Sequence, residues 1–565
     1  MNNRQELTRK LHEIAGEKQV LLSEDDKAFY TKGFRVGQGE ALAVVLPQTL
    51  LQLWQLLEVC VAEDVIILMQ ASNTGVTGGS TPDGNDYDRD IVIISTRLLT
   101  GVQVIDDHQQ VIAFPGTTLT ELEDTLKPLQ REPHSVIGSS CIGASVIGGL
   151  CNNSGGSLIR RGPAFTEKSL FARITDDGHL ELVNHLGIEL GDTPERIINA
   201  LETREYTTGD AADWQGKIWA DDYSEQLRDT HAASPARFNG DKRYLYDSAG
   251  CAGKVVVFAA RLPTFAASEA TRTFYIGSND ESELIGLRRF LLEKMDELPL
   301  QAEYIHAGAF DLTLRYAKHM YLAIRKLGPQ AIPGLMANKA RWDVRIRHAR
   351  FLPHNFTDKL IQGFNQITPS FIAPRIMDYR RRFVHHLMIK IEARQAEQLT
   401  ALLEEYFSQR PGEYFLCDDR EAADAFLIRF AVGGCTISYC DYLGYDTNQR
   451  LIAFDVALRR NDDQWRIHLP PHLAAQVQAD SCCGHFFCFV NHQDYVLKAG
   501  VDAKKFKQEV MEYLEQRGAR YPAEHNVGHL YQASCEHEQH WRELDPTNTC
   551  NPGIGKTSRK KFWGK

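Results

Sequence analysis

Gln70-Ala71-Ser72-Asn73-Thr74-Gly75-Val76-Thr77-Gly78-Gly79-Ser80 decides how the first part of this chain folds. Upstream lie Ala43-Val44-Val45-Leu46-Pro47, an apolar-periodic helix of about four turns, and Val65-Ile66-Ile67-Leu68-Met69. Strand, helix, strand and a loop carrying almost no side chain make a βαβ unit. Such a loop lets backbone N–H groups close on an anion, as glycine-rich nests do on phosphates. Ala71, Ser72, Asn73, Thr74, Gly75, Gly79 and Ser80 are therefore expected to cradle a phosphorylated cofactor. Alone, the loop would serve nicotinamide, ATP or flavin.

Working outward, a second stretch runs Gly138-Ser139-Ser140-Cys141-Ile142-Gly143-Ala144-Ser145-Val146-Ile147-Gly148-Gly149 and continues through Cys151-Asn152-Asn153-Ser154-Gly155-Gly156-Ser157. So much Gly and Ser makes a poor isolated helix or strand, and close approach of backbone to a ligand accounts for it, with Gly138, Ser145 and Gly155 as contacts. Tight turns are the plainer alternative. A third stretch, Ser248-Ala249-Gly250-Cys251-Ala252-Gly253-Lys254-Val255-Val256-Val257, is a glycine turn feeding a strand that carries Val257. Two other glycine motifs fail. Gly37-Gln38-Gly39-Glu40-Ala41-Leu42 lacks the third glycine of the dinucleotide fingerprint and opens no helix. Gly553-Ile554-Gly555-Lys556-Thr557 imitates the end of a P-loop, but Cys550 stands where that motif needs glycine.

The three stretches, in this order, resemble the FAD-binding domain of the vanillyl-alcohol oxidase/p-cresol methylhydroxylase flavoprotein family. The resemblance implies that the first loop cradles the FAD pyrophosphate, the second lines the flavin and the third closes the domain. Four further blocks narrow the likeness: Arg35-Val36-Gly37-Gln38-Gly39, Asn85-Asp86-Tyr87-Asp88-Arg89-Asp90, Glu132-Pro133-His134-Ser135-Val136-Ile137-Gly138 and Tyr521-Pro522-Ala523-Glu524-His525-Asn526-Val527-Gly528-His529. They are similar to the bacterial respiratory members of that family, which oxidise D-lactate to pyruvate and pass the electrons to membrane quinone. A relative acting on a larger D-2-hydroxy acid, such as D-2-hydroxyglutarate, is the alternative. FAD is expected to be noncovalent, because residues 70–80 hold no histidine to tether it.

The totals agree with a multidomain soluble enzyme. At 565 residues the chain exceeds one hydrophobic core, and 43% apolar with 24% charged residues is ordinary for a folded protein. A net charge of −11 argues against nucleic acid as a partner of the whole chain. The twelve cysteines include no C-x-x-C pair, which favours a reducing interior. Met1-Asn2-Asn3-Arg4-Gln5-Glu6 lacks the apolar core of a signal peptide, and no run reaches the roughly 18 to 20 apolar residues of a span.

The expected chemistry is hydride transfer from the α-carbon of a 2-hydroxy acid while a base takes the hydroxyl proton, and histidine suits that task. His485, His492, His525 and His529 are the dense group. The resemblance places the active-site Glu-His pair at Glu524-His525, with His529 on the surface or behind the site. His485 and His492 share the spacing of the metal-binding histidines of related 2-hydroxyglutarate dehydrogenases, which carry a Gly-Asp-Gly turn between them. Here Phe486-Phe487-Cys488-Phe489-Val490-Asn491 reads as unbroken strand, which would hold the imidazoles ~23 Å apart on opposite faces. No metal is expected on that ground, although Glu524 would serve as a third ligand. For the substrate carboxylate, Arg380 of the Arg380-Arg381-Arg382 run is the candidate clamp.

Between Arg315 and Arg382 stand fourteen Lys or Arg against only Asp343, Asp358 and Asp378. With Tyr316, Met320, Tyr321, Leu322, Trp342, Phe351 and Leu352 interleaved, the segment reads as a peripheral element on an anionic membrane; a basic surface or subunit contact is the plainer alternative. The class is α+β: a two-subdomain FAD-binding domain (1–265, with a polar excursion at 192–249), an α+β substrate or cap domain (266–310 and 383–515), a basic membrane-associating segment (311–382), and a C-terminal segment (516–565) returning to the FAD domain and active site. The expected location is the cytoplasmic face of the inner membrane. A basic anion- or nucleic-acid-binding protein with purely structural glycine loops is the competitor from another class.

Overall fold

The computed structural model describes residues 3–135, 142–208, 216–328, 331–347, 353, 355–369 and 372–564. Three sheets follow one another along the chain. The first contains β1 (Val20–Leu21), β2 (Ala43–Val45), β3 (Ile66–Gln70) and β4 (Ile91–Ser95) in the order β1-β2-β4-β3, with β4 parallel to both β2 and β3. Parallel strands need a covered crossover. The helix Leu50–Ala62 supplies it, started by the Thr49 hydroxyl, which accepts from the Gln52 N–H at 3.1 Å. β2 and β4 are buried along their whole length, as a two-sided parallel sheet requires. The βαβ reading of residues 43–70 thus holds.

The second sheet contains β5 (Val102–Ile105), β6 (Gln110–Ala113), β7 (Arg131–Pro133), β8 (Ser169–Ile174), β9 (Leu180–Asn184) and β10 (Val256–Ala266). Its order is β5-β6-β10-β8-β9, with β7 also on β10. The third is antiparallel: β11 (Thr271–Ser278), β12 (Gln301–His306), β13 (His385–Glu392), β14 (Glu413–Leu416), β15 (Leu451–Ala457), β16 (Val477–His485) and β17 (Val490–Leu497), ordered β14-β11-β13-β12-β16-β17-β15. Helices lie over these sheets, so the architecture is α+β.

Two expectations change. The polar excursion at 192–249 also reaches inward: Tyr223, Leu227, Ala236 and Tyr244 enter the core, and Arg237 and Asp241 are buried with them. Asp210 and Asp213 lie outside the described residues. The basic segment contains the helices Lys318–Leu327, Ile332–Arg347, Phe356–Ile367 and Pro374–Arg382; Tyr321 and Leu322 on the first of them, and Tyr316 at the end of the preceding helix Ala307–Tyr316, are buried, so these do not face a membrane. Phe351 and Leu352 lie outside the described residues. The apolar surface is instead a stripe spaced i, i+4, i+7 on the third of these helices: Leu360, Phe364 and Ile367 are 59%, 51% and 82% exposed, with Leu327, Leu335 and Trp342 on its neighbours also exposed. Among the described residues, no helix is long and apolar enough to cross a membrane.

The last stretch of chain returns to the first sheet. Cys550 bridges to Ile67 beside β3, and Asn551 Nδ2 donates to Gly79 O (2.9 Å) and Ala252 O (2.7 Å), tying the first and third glycine loops together. Arg559 pairs with Asp83 and Asp86, and Arg89 donates to Asn548 O.

Candidate active site

A cavity of about 1640 Å³ lies between the first two sheets and one face of the third. On one side is the loop Ala71–Ser80. Gln70 closes its neck, donating from Nε2 to Tyr30 O (2.9 Å) and Ser80 O (2.7 Å), and Asn73 ties it to Phe29 O and Lys32 O. Among the described residues, Gly78 closes a turn over Val76-Thr77, and no other backbone N–H from 71 to 80 meets an acceptor in the protein. A row of open donors with glycine-thin walls is what a pyrophosphate needs. Ala71, Ser72, Asn73, Thr74, Gly75, Gly79, Ser80, Ser145, Gly155 and Val257 all line the cavity; Gly138 lies outside the described residues. Gly79 has no room for a Cβ, which would collide with the Asn526 side chain. At Gly155 a Cβ would sit 2.8 Å from Glu524 Cγ.

The opposite side is the third sheet. Period-2 alternation presents Ala453 and Asp455 of β15, Ser481, Cys483 and His485 of β16, and His492 and Asp494 of β17 to the same cavity. Register puts Asp455 opposite His492 and Glu303 opposite His485. The run 486–491 is not one strand: Phe486–Phe489 form a turn, with Phe489 at φ 57°, and β16 and β17 fold back as a hairpin. The ~23 Å separation expected of an extended strand is therefore wrong. His485 Nε2 and His492 Nε2 stand 3.3 Å apart, and Glu524 Oε2 lies 3.1 Å from the first and 3.6 Å from the second. The sequence concealed the turn because its residues are fully buried, with Phe489 stacked on Trp465 at 5.1 Å and capped by Arg288, so no polar turn residue marks it.

These donors have a definite polarity. His485 Nδ1–H donates to Glu303 Oε1 (2.7 Å), and Glu303 Oε2 lies 2.8 Å from Arg429 Nε. Burial, opposed by Glu303, lowers the His485 pKa, and burial holds that of His492 well below the ordinary value against the pull of Asp455. A neutral His485 whose Nδ1 carries the proton points a lone pair at Glu524 and at His492. Two imidazoles and a carboxylate converging within 4.8 Å, with carboxylates behind both rings, fit a divalent cation in ligand type and in outer-shell support. The expectation of no metal loses the ground it rested on.

His525 faces the cavity beside this cluster. Its Nδ1 is 2.8 Å from Asp455 Oδ2, which also accepts from the backbone N–H of Glu524 (2.7 Å) and of His525 (3.1 Å). Burial opposes charging His525, but Asp455 outweighs it and the pKa is raised; burial likewise opposes charging Asp455, whose pKa is nevertheless lowered by His525. Glu524 is anchored by buried Arg237, which also donates to Gly156 O at 2.8 Å. His529 is not on the surface: it is buried behind the cradle, its Nε2 3.0 Å from Thr81 O.

Arg380 is not part of this constellation. Its guanidinium is held by Asp311 (Nε to Oδ1 2.9 Å) and does not line the cavity. Arg429, from the helix Asp419–Val432, does line it, as does Arg35. Asp455, Glu303, Arg237 and Arg429 were missed from sequence; only Asp455 left a trace, as the one acid in the strand Leu451–Ala457.

Comparison with known proteins follows the same lines. A family model described as "D-lactate dehydrogenase, membrane binding" matches residues 273–563, and one described as "FAD binding domain" matches 41–170. The quinone-dependent D-lactate dehydrogenase of Escherichia coli K12 is 49% identical over 98% of this chain and 97% of its own. The proteins of the same name from Haemophilus influenzae and Corynebacterium glutamicum are 46% and 43% identical, again nearly end to end. Among solved structures, p-cresol methylhydroxylase with substrate bound superposes with a TM-score of 0.59 at 11% identity, covering 99% of this chain and 98% of that one. Alkyldihydroxyacetonephosphate synthase gives 0.58 at 11%, covering 97% and 86%. These two likenesses establish the shared fold.

Proposed function

We propose that this chain, which belongs to the quinone-dependent D-lactate dehydrogenases, oxidises D-lactate to pyruvate and delivers the electrons to a membrane quinone. Residues 71–80 would hold FAD noncovalently by its pyrophosphate, and the flavin would supply the acceptor for the hydride on C2. The protein's own part is to hold the substrate and move one proton. His525 accepts the hydroxyl proton, and Asp455 fixes its tautomer and stabilises the imidazolium that forms. Arg429, in place of Arg380, holds the substrate carboxylate. His485, His492 and Glu524 would hold a divalent cation, which would supply Lewis-acid polarisation of the 2-hydroxyl. The observation that carries the reading is the Asp455-backed His525 facing the cavity whose far wall is the open N–H cradle.

The cap is assigned to 266–310 and 383–515, and 311–382 to the membrane-associating segment. The stripe Leu360, Phe364 and Ile367, set among lysines and arginines, fits peripheral attachment to anionic lipid at the cytoplasmic face, and not nucleic acid. Anaerobic mixing tests the catalytic reading: D-lactate should bleach the yellow protein, L-lactate and D-2-hydroxyglutarate should do so far more slowly, and a quinone should restore the colour. Faster bleaching by the glutarate would overturn the substrate assignment.

A further inference from the structure

D-Lactate is a three-carbon anion recognised through polar groups, yet one wall of the cavity is apolar. That wall is the helix Asp419–Val432 and the turn after it. Ala422, Ala423, Phe426, Phe430 and Gly433 recur at helical spacing along its cavity side, with Phe430 and Ala423 exposed there. The opposite side of the same helix, through Ala425, Ile428, Ala431 and Val432, is buried in a core cluster. Ala422 and Phe426 also pack in part against that cluster, which leaves Ala423 and Phe430 as the apolar side chains most open to the cavity and suited to an apolar occupant.

The wall leads from the reaction centre to the membrane-binding surface. Partway along it, between Phe426 and Phe430, stands Arg429, ion-paired to Glu303. At its outer end Met320 packs on Gly434 and lines the cavity. Met320 belongs to the helix Lys318–Leu327, which is locked to the wall by Tyr321 Oη donating to Asp424 Oδ1 (2.7 Å). On its other side that helix donates from Lys318 Nζ to Asn365 O (3.2 Å), between the exposed Phe364 and Ile367.

We propose that the face formed by Ala423, Phe426 and Phe430, with Met320 at its mouth, is the quinone channel, taking the isoprenoid-bearing quinone from the bilayer to the cavity that also admits lactate. This deepens the functional reading above and rests on it. Two electrons and two protons pass from the reduced cofactor to the quinone, which leaves as quinol by the same wall. Lactate and quinone then compete for one cavity, so pyruvate departs before quinone binds.

The test separates the two half-reactions in the full-length flavoprotein. Phe430→Ala should raise the KM for a short-chain ubiquinone about tenfold, the worth of one aromatic contact. Ala423→Trp, which plugs the channel, should abolish most quinone reduction. In both, anaerobic bleaching by D-lactate and turnover with ferricyanide should stay at the wild-type rate. Unchanged quinone kinetics, or a loss shared equally by ferricyanide, overturns the channel. An azido-ubiquinone photolabel on the wild-type protein gives a second reading that needs no variant. Adducts are expected within residues 419–437, and adducts confined to 356–369 refute the assignment. Wild-type protein inert to D-lactate would sink the functional reading instead, while the photolabel still reports on the channel.

Discussion

Replacing Asp455 by Asn keeps the shape of the side chain and removes only its charge. In the native site one oxygen, Oδ2, receives two backbone N–H groups and stands 2.8 Å from His525 Nδ1. An amide oxygen still accepts from the backbone, so the hairpin and the Glu524-His525 turn should persist. The charge-assisted bond to the imidazolium is lost, and such bonds are worth about 1.5–3 kcal/mol. That bond strengthens as His525 takes the proton, so its loss falls on the transition state and should cost about 10- to 100-fold in the rate of bleaching by D-lactate. The pH dependence follows with a definite sign. His525 is a base only when neutral, and Asp455 raises its pKa, so the wild-type rate should climb with pH through a midpoint above the ordinary histidine value of about 6.5. In Asp455→Asn the midpoint should move to lower pH. Anaerobic stopped-flow across pH 5–9, with 2-deuterated D-lactate as a check that hydride transfer is being observed, measures both. A slower enzyme whose acid limb has not moved would show that His525 is not the proton acceptor.

Three further outcomes are expected. Arg429→Lys keeps a cation beside Glu303 but loses the fork geometry, and should lower kcat/KM for D-lactate about 10- to 100-fold while leaving the flavin spectrum intact; an unchanged value would show that Arg429 is not the clamp. Dialysis against a strong chelator should reduce the rate of bleaching without releasing FAD, and zinc or manganese should restore it; protein that is metal-free by elemental analysis yet fully active would exclude a cation on His485, His492 and Glu524. Phe364→Asp with Ile367→Asp should weaken flotation with anionic vesicles by at least about tenfold, and salt should weaken the wild type; equal wild-type binding to neutral vesicles would refute the electrostatic part.

What could be read from the chain alone divides by the range of the interactions involved. The unit at 43–70 and its loop were legible because alternation, helix period and glycine loop are local properties, and the cradle is mostly backbone. The Glu524-His525 pair was legible through a block of residues that resembles a family. His485 and His492 were noticed, but their separation was misjudged by about 20 Å, because Phe486–Phe489 turn inside the core, where packing on Trp465 replaces the usual turn residues. Arg380 drew attention as part of a cationic run, and Asp311, remote in sequence, claims it. Arg237, Glu303 and Arg429 act through partners 182 to 287 residues away or on other elements, so no spacing marks them.

The return of residues 548–559 to the first glycine loop bears on how the protein is made. Asn551 holds Gly79 and Ala252, Cys550 extends the sheet beside Ile67, and Arg559 secures Asp83 and Asp86. A ribosome that has finished the strands of the first two sheets has therefore still not finished the cofactor's berth. Translation must pass nearly three hundred residues beyond Val257, the whole third sheet and its helices included, before the cradle is latched. The cradle is therefore expected to close on flavin only once residues 548–559 have been made, and a chain cut before them, however well its first half folds, is not expected to accumulate as a loose flavoprotein that leaks electrons to oxygen.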